Sequence, residues 1–271
     1  MKIFKSKQKL QKEILNINNI CFVPTMGGLH KGHISLIKKS QNFKGKTLVS
    51  IFVNPKQFDE KKDFLNYPRN LKKDLILLKH LKVDLVYLPN PRDIFNFNVK
   101  NKIFLDKFSK KLCGKRRKKH FKGVLNIVNR FLELIKPKYI FLGIKDFQQS
   151  YLINKHILKR KIKTKIIHCK TIREKNDVAC STRNNNLNNS QFKIASKVVR
   201  YLKNKKRLIK IKFYNLTLNN IKKDLINLGV SKIDYLELYN LKTLDRPKKK
   251  REKFKIFIAF YLGRTRLIDN I

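Results

Sequence analysis

Apolar residues recur along this chain in two rhythms. Five continuous apolar stretches, Ile20–Val23, Lys46–Asn54, Val83–Pro89, Tyr139–Gly143 and Thr164–Ile172, read as buried strands. Between them the spacing changes to three and four. Leu71, Leu75, Leu78 and Leu81 share one stripe of a helix predicted over Pro68–Leu81, and helices are predicted over 120–135 and 146–159. After the Pro24–Gly28 turn, Leu29, Ile34, Leu36 and Ile37 also resume at helical spacing. Repeated strand–helix units of this length predict an α/β fold with a parallel, doubly wound sheet. In such sheets ligands sit at the C-terminal strand ends, here Pro24, Asn54, Pro89 and Gly143. Beyond the Ser181–Asn184 loop the pattern shifts to helices near 189–203 and 216–228 and strands near 232–239 and 255–262. That predicts a second, smaller α+β domain over 173–271, following a first domain over 1–172.

Composition changes this picture little. The 271 residues are 42% hydrophobic, enough for two folded domains. No apolar run reaches the length of a membrane span, and Met1–Leu10 lacks a signal-peptide core. Cys21, Cys113, Cys169 and Cys180 show no metal-binding spacing. Reduced thiols in a cytoplasmic protein, with no membrane association, are the expectation. The net charge of +48 ordinarily points to nucleic acid. Here the lysines are spread over nearly every segment and travel with Asn, Ile and Phe, while Ala occurs only at 179, 195 and 259. Codon drift toward A+T explains such a bias better than a polyanion partner, so no specific nucleic acid is expected. The basic run Arg246–Lys253 reads as a solvated loop.

The candidate chemistry lies at the strand ends. His30 and His33 open the helix after the first turn, three apart and on one face. Orphan N–H groups and the helix dipole predict an anion site there, with Gly27, Gly28 and Gly32 allowing a nucleotide close approach. The competing reading is an ordinary strand–helix turn. Gln57, after Asn54-Pro55-Lys56, can offer a neutral amide to the crevice or sit in a surface turn. Gly143, Lys145, Asp146 and Gln149 form a second strand-to-helix turn. Asp146 suits either an N-cap or ribose hydroxyls, Lys145 suits phosphate, and Gln149 faces the same crevice one helical turn in. Ser181, Thr182 and Arg183 offer hydroxyls and a guanidinium to triphosphate oxygens, or form a plain polar loop.

Seven segments carry a family resemblance: Val23–His33, Val49–Phe58, Tyr67–Leu71, His120–Val124, Gly143–Gln149, Ser181–Asn184 and Gly263–Asn270. In that order and over essentially the whole chain they resemble the pantothenate synthetase family, within the His-x-x-His nucleotidylyl-transferases. The resemblance implies ATP-dependent ligation of pantoate to β-alanine through a pantoyl adenylate, with Mg2+. It also implies a Rossmann-like first domain, a lid-like second domain and a homodimer. Carried over, Met26, Gly27, Gly28, Leu29, His30, Lys31, Gly32 and His33 contact ATP, with His33 the catalytic imidazole and proton donor. Gly143, Ile144, Lys145, Asp146 and Ile172 also bind ATP, and Cys180, Ser181, Thr182 and Arg183 form the phosphate-binding loop. Gln57 and Gln149 hold pantoate, Gln57 also touching β-alanine; no residue is implied as a metal ligand. Lys118-Lys119 stands where the family has Pro-Gly, Ile144 replaces a Glu, Asn176-Asp177 stands for Asp-Gly, and Cys180 for Met or Leu. These departures bear on loop geometry and rate and remove no reacting group.

Overall fold

The computed structural model of the chain describes residues 1–59, 61–211, 216–248 and 252–271. It divides into two compact units, Met1–Ile172 and Arg173–Ile271. In chain order the first unit runs β1 (Lys2–Phe4), α1 (Lys7–Ile14), β2 (Ile20–Thr25), α2 (Lys31–Gln41), β3 (Lys46–Ile51), α3 (Lys61–Leu65) and α4 (Leu71–His80). It continues through β4 (Leu85–Tyr87), α5 (Pro91–Phe95), α6 (Leu112–Arg116), α7 (His120–Ile135), β5 (Tyr139–Gly143), α8 (Phe147–Lys159) and β6 (Lys165–Cys169). The six strands form one sheet in the order β1-β4-β3-β2-β5-β6, every described pairing parallel.

Successive strand residues point to opposite faces, so each strand feeds two cores. On one face Phe22, Leu48, Leu85, Ile140 and Leu142 pack against Val124, Val128, Phe131 and Leu132 of α7 and Ile153 and Ile157 of α8. On the other, Cys21, Val23, Val49, Val86 and Phe141 pack against Leu36 and Ile37 of α2 and Leu78 of α4. Helices on both faces make the sheet doubly wound, as the strand–helix alternation predicts. Helix α7 has eleven buried residues among sixteen and covers the centre of one face. Gly123 lets α7 lie against the Pro55–Gln57 turn: a Cβ there would meet the Lys56 carbonyl oxygen at 2.1 Å.

Several boundaries differ from the sequence reading. The helix predicted from Pro68 starts at Leu71, where the Asn70 side chain accepts the Lys73 N–H, and Leu71 is exposed. β3 stops at Ile51 rather than Asn54, and β6 ends at Cys169 rather than Ile172. The helix predicted from Asp146 begins at Phe147, after a single 3-10 turn over Ile144–Asp146.

The second unit comprises α9 (Asn189–Ile211), α10 (Leu216–Asn227), β7 (Lys232–Asn240), β8 (Phe254–Leu262) and β9 (Thr265–Asn270). α9 extends well past the predicted Lys203. The strands form an antiparallel sheet, β7-β8-β9, with a register shift between Ile233 and Tyr235. Ile256, Ile258 and Phe260 pack on Ala195, Val198, Val199 and Leu202 of α9 and Leu225 of α10, giving the α+β class expected. Arg173 grips the Asp269 carboxylate through two bonds, 2.7 and 3.0 Å, pinning the start of the unit to its last strand. Within the basic run at 246–253, residues 249–251 lie outside the described residues.

Candidate active site

The strand order reverses between β2 and β5. Their ladder runs through Cys21↔Tyr139 and Phe22↔Ile140, and both strands continue beyond it to Thr25 and Gly143. A crevice opens where the two carboxyl ends part, the usual ligand position in an open α/β sheet. Beside Gly143 the space is empty: a Cβ added there would have nothing within 4 Å.

On the β2 side, Gly27 and Gly28 take left-handed φ of 78° and 62°, turning the chain into α2. The N–H groups predicted to be orphans are not. Gly27 donates to Thr25 Oγ1 (3.3 Å), Gly28 to Asp74 Oδ2 (2.9 Å) and Leu29 to Asp74 Oδ1 (2.8 Å). His30 N–H donates to His33 Nδ1 (3.3 Å), and His30 Nδ1 accepts from Gly32 N–H (3.0 Å). The pair forms a capping box built from two imidazoles, where Ser and Glu usually serve. The backbone therefore spends these donors on the protein itself.

What remains for an anion is on the rings. A neutral imidazole accepting at Nδ1 carries its proton on Nε2. Both histidines are thereby fixed as Nε2–H donors, with ring centroids 4.1 Å apart. Burial pushes His33 down to about 3, helped by His30 and then Lys145, so its ring is neutral at physiological pH. The neutral ring offers its Nε2–H as a hydrogen-bond donor. Met26, Gly28, Leu29, Gly32 and His33 are partly buried around this turn, and Lys31 is exposed.

Across the crevice, the 3-10 turn after Gly143 carries Lys145, whose ammonium lies 3.7 Å from the Asp146 carboxylate. Asp146 occupies the N-cap position of α8 without a side-chain cap bond, so capping does not account for it. Gln148 and Gln149 divide sharply. Gln148 is buried, accepts from Cys113 N–H and donates to Phe108 and Lys111 carbonyls, so its amide is fully committed. Gln149 is partly buried, and its amide makes no hydrogen bond among the described residues. Ile172 is partly buried three residues past the end of β6, and Ile144 is partly buried in the turn.

Gln57 is buried in a 3-10 turn over Pro55–Gln57, its side-chain amide turned toward Met26 Sδ. Asn54 caps this turn, accepting from Lys56 N–H and donating to the Gly123 carbonyl at 3.1 Å. The Gln57 carbonyl accepts from Arg117 (3.1 Å) and lies 2.7 Å from His120 Nδ1. Lys118 and Lys119 are the exposed middle of that 117–120 turn, so the departure from Pro-Gly leaves the two holding residues in place.

In the second unit, Ser181 caps a 3-10 turn over Thr182–Asn186 through the Arg183 N–H. Cys180 and Thr182 are buried, while Ser181 and Arg183 are partly exposed. The Cys180 thiol donates to Glu174 Oε1 at 3.1 Å. Only part of the predicted Cys180–Arg183 set therefore faces outward. Sequence reasoning named Asn54 only as a strand end and missed Asp74 and Arg117; the three hold the two turns on the β2–β3 side. Asp74 is legible only as a polar member of an otherwise apolar helix stripe.

The family model described as pantoate-beta-alanine ligase matches residues 2–271. A pantothenate synthetase from Endomicrobium trichonymphae is 39% identical, covering 100% of this chain and 97% of the relative. One from Buchnera aphidicola is 38% identical, covering 100% and 98%. Among solved structures, a pantoate-beta-alanine ligase from Francisella tularensis, complexed with beta-gamma ATP and beta-alanine, superposes with a TM-score of 0.85 at 34% identity, over 100% and 97% of the two chains. A pantothenate synthetase from Thermus thermophilus gives a TM-score of 0.91 at 26% identity, over 100% and 99%. With the match running end to end and the same doubly wound sheet beneath it, this chain belongs to the pantoate–β-alanine ligase family.

Proposed function

We propose that this chain condenses pantoate with β-alanine at the expense of ATP, giving pantothenate, AMP and pyrophosphate. The observation that supports this reading is the pair of Nε2–H imidazoles at the carboxyl end of β2, with Lys145 close enough to act on His33 and the uncharged Gln57 amide turned to Met26. Gln149 is the second uncharged amide of the reading. The imidazoles and the ammonium suit a triphosphate, and the amides a hydroxy acid. A pantoate carboxylate oxygen attacks the α-phosphorus and pyrophosphate leaves. The amine of β-alanine then attacks the acyl carbonyl, and AMP leaves with the carboxylate oxygen.

In this reading Met26–His33, Gly143, Ile144, Lys145, Asp146 and Ile172 bind ATP. His33 and His30 donate to phosphate oxygens as charge builds, and Lys145 neutralises it. Gln57 and Gln149 hold pantoate, and Gln57 also meets β-alanine. Ser181 and Arg183 keep the triphosphate-binding role that the family resemblance implies for their loop, a hydroxyl and a guanidinium suited to phosphate oxygens. Cys180 and Thr182 support that loop from within. Among the described residues no three His, Cys, Asp or Glu side chains are grouped to hold a metal by themselves. Mg2+ would come with the triphosphate and supply neutralising charge at its oxygens. The reading extends to a cytoplasmic homodimer. Among the described residues no helix is long and apolar enough to cross a membrane.

The test is AMP release with each of ATP, pantoate and β-alanine omitted in turn. Release that needs all three supports the reading. AMP release indifferent to pantoate, or a stable dinucleotide product, overturns it. Sedimentation analysis of the purified protein checks the dimer.

A further inference from the structure

Asp74 has surroundings unusual for a carboxylate. It is 4% exposed, in the first turn of α4, and no cation pairs with it among the described residues, although the chain carries 66 Lys and Arg. Its two oxygens instead accept the Gly28 and Leu29 N–H groups at 2.9 and 2.8 Å. Successive N–H groups converging from a left-handed turn form a concave nest of the kind that binds anions. Here a side chain of the protein fills the nest. The fit is close, since a Cβ on Gly27 would stand 3.0 Å from Asp74 Oδ2. α4 holds the carboxylate in place because Leu78, four residues on and on the same face, is fully buried in the core.

We propose that Asp74 is a positioning residue for the phosphate grip, holding the Met26–His30 turn in its left-handed form so that His30 and His33 are aimed before ATP arrives. This rests on the ligase reading above. The nest would otherwise attract a phosphate, drawing the triphosphate toward the backbone and away from the imidazoles. With the carboxylate in place, the N–H groups are satisfied and the Nε2–H donors are left as the contacts offered on this side. Preorganisation of this kind is lost when a supporting residue goes, with effects of roughly 10- to 100-fold.

The test uses Asp74→Ala, Asp74→Asn and Asp74→Glu in the full chain. The Ala variant should lose roughly 10- to 100-fold in kcat/KM for ATP, with KM for β-alanine unmoved. Added formate, which fits the vacated nest, should restore much of that loss. The Glu variant should stay impaired, because its extra methylene has no room beside Gly27; a role of charge alone would be met by Glu. Independently of activity, the Gly28 and Leu29 amide resonances should move upfield in the Ala variant, exchange faster with solvent, and return with formate. If the Ala variant does not fold, the near-isosteric Asn variant is read on the same amides, where at least one should shift. Unchanged amides, or full activity in the Glu variant, overturn the proposal. Wild-type protein without pantoate-dependent AMP release, but with these amide shifts in the variants, would instead sink the ligase reading and leave Asp74 as the brace of the turn.

Discussion

The backbone N–H of His30 donates to Nδ1 of His33 at 3.3 Å, so the ring proposed to meet ATP is also the cap of its own helix. Replacing His33 with Ala removes both. Adenylate formation in a single turnover should slow by about two orders of magnitude or more, the size of losing a transition-state donor. An unchanged rate would show that His33 is only a cap.

A pH test separates hydrogen-bond donation from proton donation. Since His33 is held down to about 3, mainly by burial, it is neutral throughout the accessible range in the free enzyme. The profile of kcat/KM for ATP reports free-enzyme groups. It should show no limb from His33 near 6.5. A limb there that disappears in His33→Gln would contradict the assignment.

Two glycines should respond oppositely to alanine. At Gly123 the new methyl collides with the Lys56 carbonyl at 2.1 Å and lies 2.9 Å from Gln57 Cα, so the variant should lose several kcal/mol of stability. At Gly143 nothing stands within 4 Å, so Gly143→Ala should melt like the parent while ATP binds less well. Thermal melts beside ATP titrations check both, and a destabilised Gly143→Ala would remove the open crevice from the site.

Adjacent glutamines give a third contrast. Gln149→Ala should raise KM for pantoate with little change in stability or in KM for ATP. Gln148→Ala leaves the buried Cys113 N–H without its partner and takes one of two bonds from each of the Phe108 and Lys111 carbonyls. It should therefore destabilise the fold, the unpaired N–H alone costing about 1–3 kcal/mol. Equal loss for ATP and pantoate in Gln149→Ala would count against the pantoate placement.

Acid sensitivity should come in part from a histidine outside the site. His156 is fully buried, accepts the Phe104 N–H at Nδ1 and bonds Asn129 Oδ1 through Nε2. Burial, then Arg160, lowers it from 6.5 to about 4, with Glu133 opposing. The unfolded chain therefore binds this proton first, and the stability contribution, present above 6.5, is lost as pH falls toward 4. Between about pH 7.5 and about pH 5 the loss from His156 should be about 2 kcal/mol. Denaturant midpoints at the two pH values measure it, and His156→Gln should flatten the difference.

The features that could be read in advance were those written as long apolar patterns. The His120–Ile135 helix and the Tyr139–Gly143 strand lie within the predicted bounds because each buries a continuous face. β1 went unseen: it is three residues long and half exposed, and only its pairing with β4 makes it a strand. β9, Thr-Arg-Leu-Ile-Asp-Asn, reads as polar until Asp269 is seen held by Arg173. At the site, sequence pointed to the turns but could not assign their donors. Whether the Gly28 N–H faces solvent or Asp74 depends on where α4 docks, a contact 46 residues away.

The crevice between β2 and β5 also has a place in time. Its two walls come from strands joined through Cys21↔Tyr139 and Phe22↔Ile140, with β3, β4 and their helices lying between them in the chain. A pairing this distant closes late, because the intervening chain must first be ordered enough to bring its ends together. During synthesis, the His30–His33 cap can form long before Lys145 exists to face it. A nascent chain ending short of β5 would hold one half of a nucleotide site and no grip on the nucleotide. Binding of ATP therefore reports completion of the sheet, and a ligand-induced rise in melting temperature would mark the moment at which the first unit has become whole.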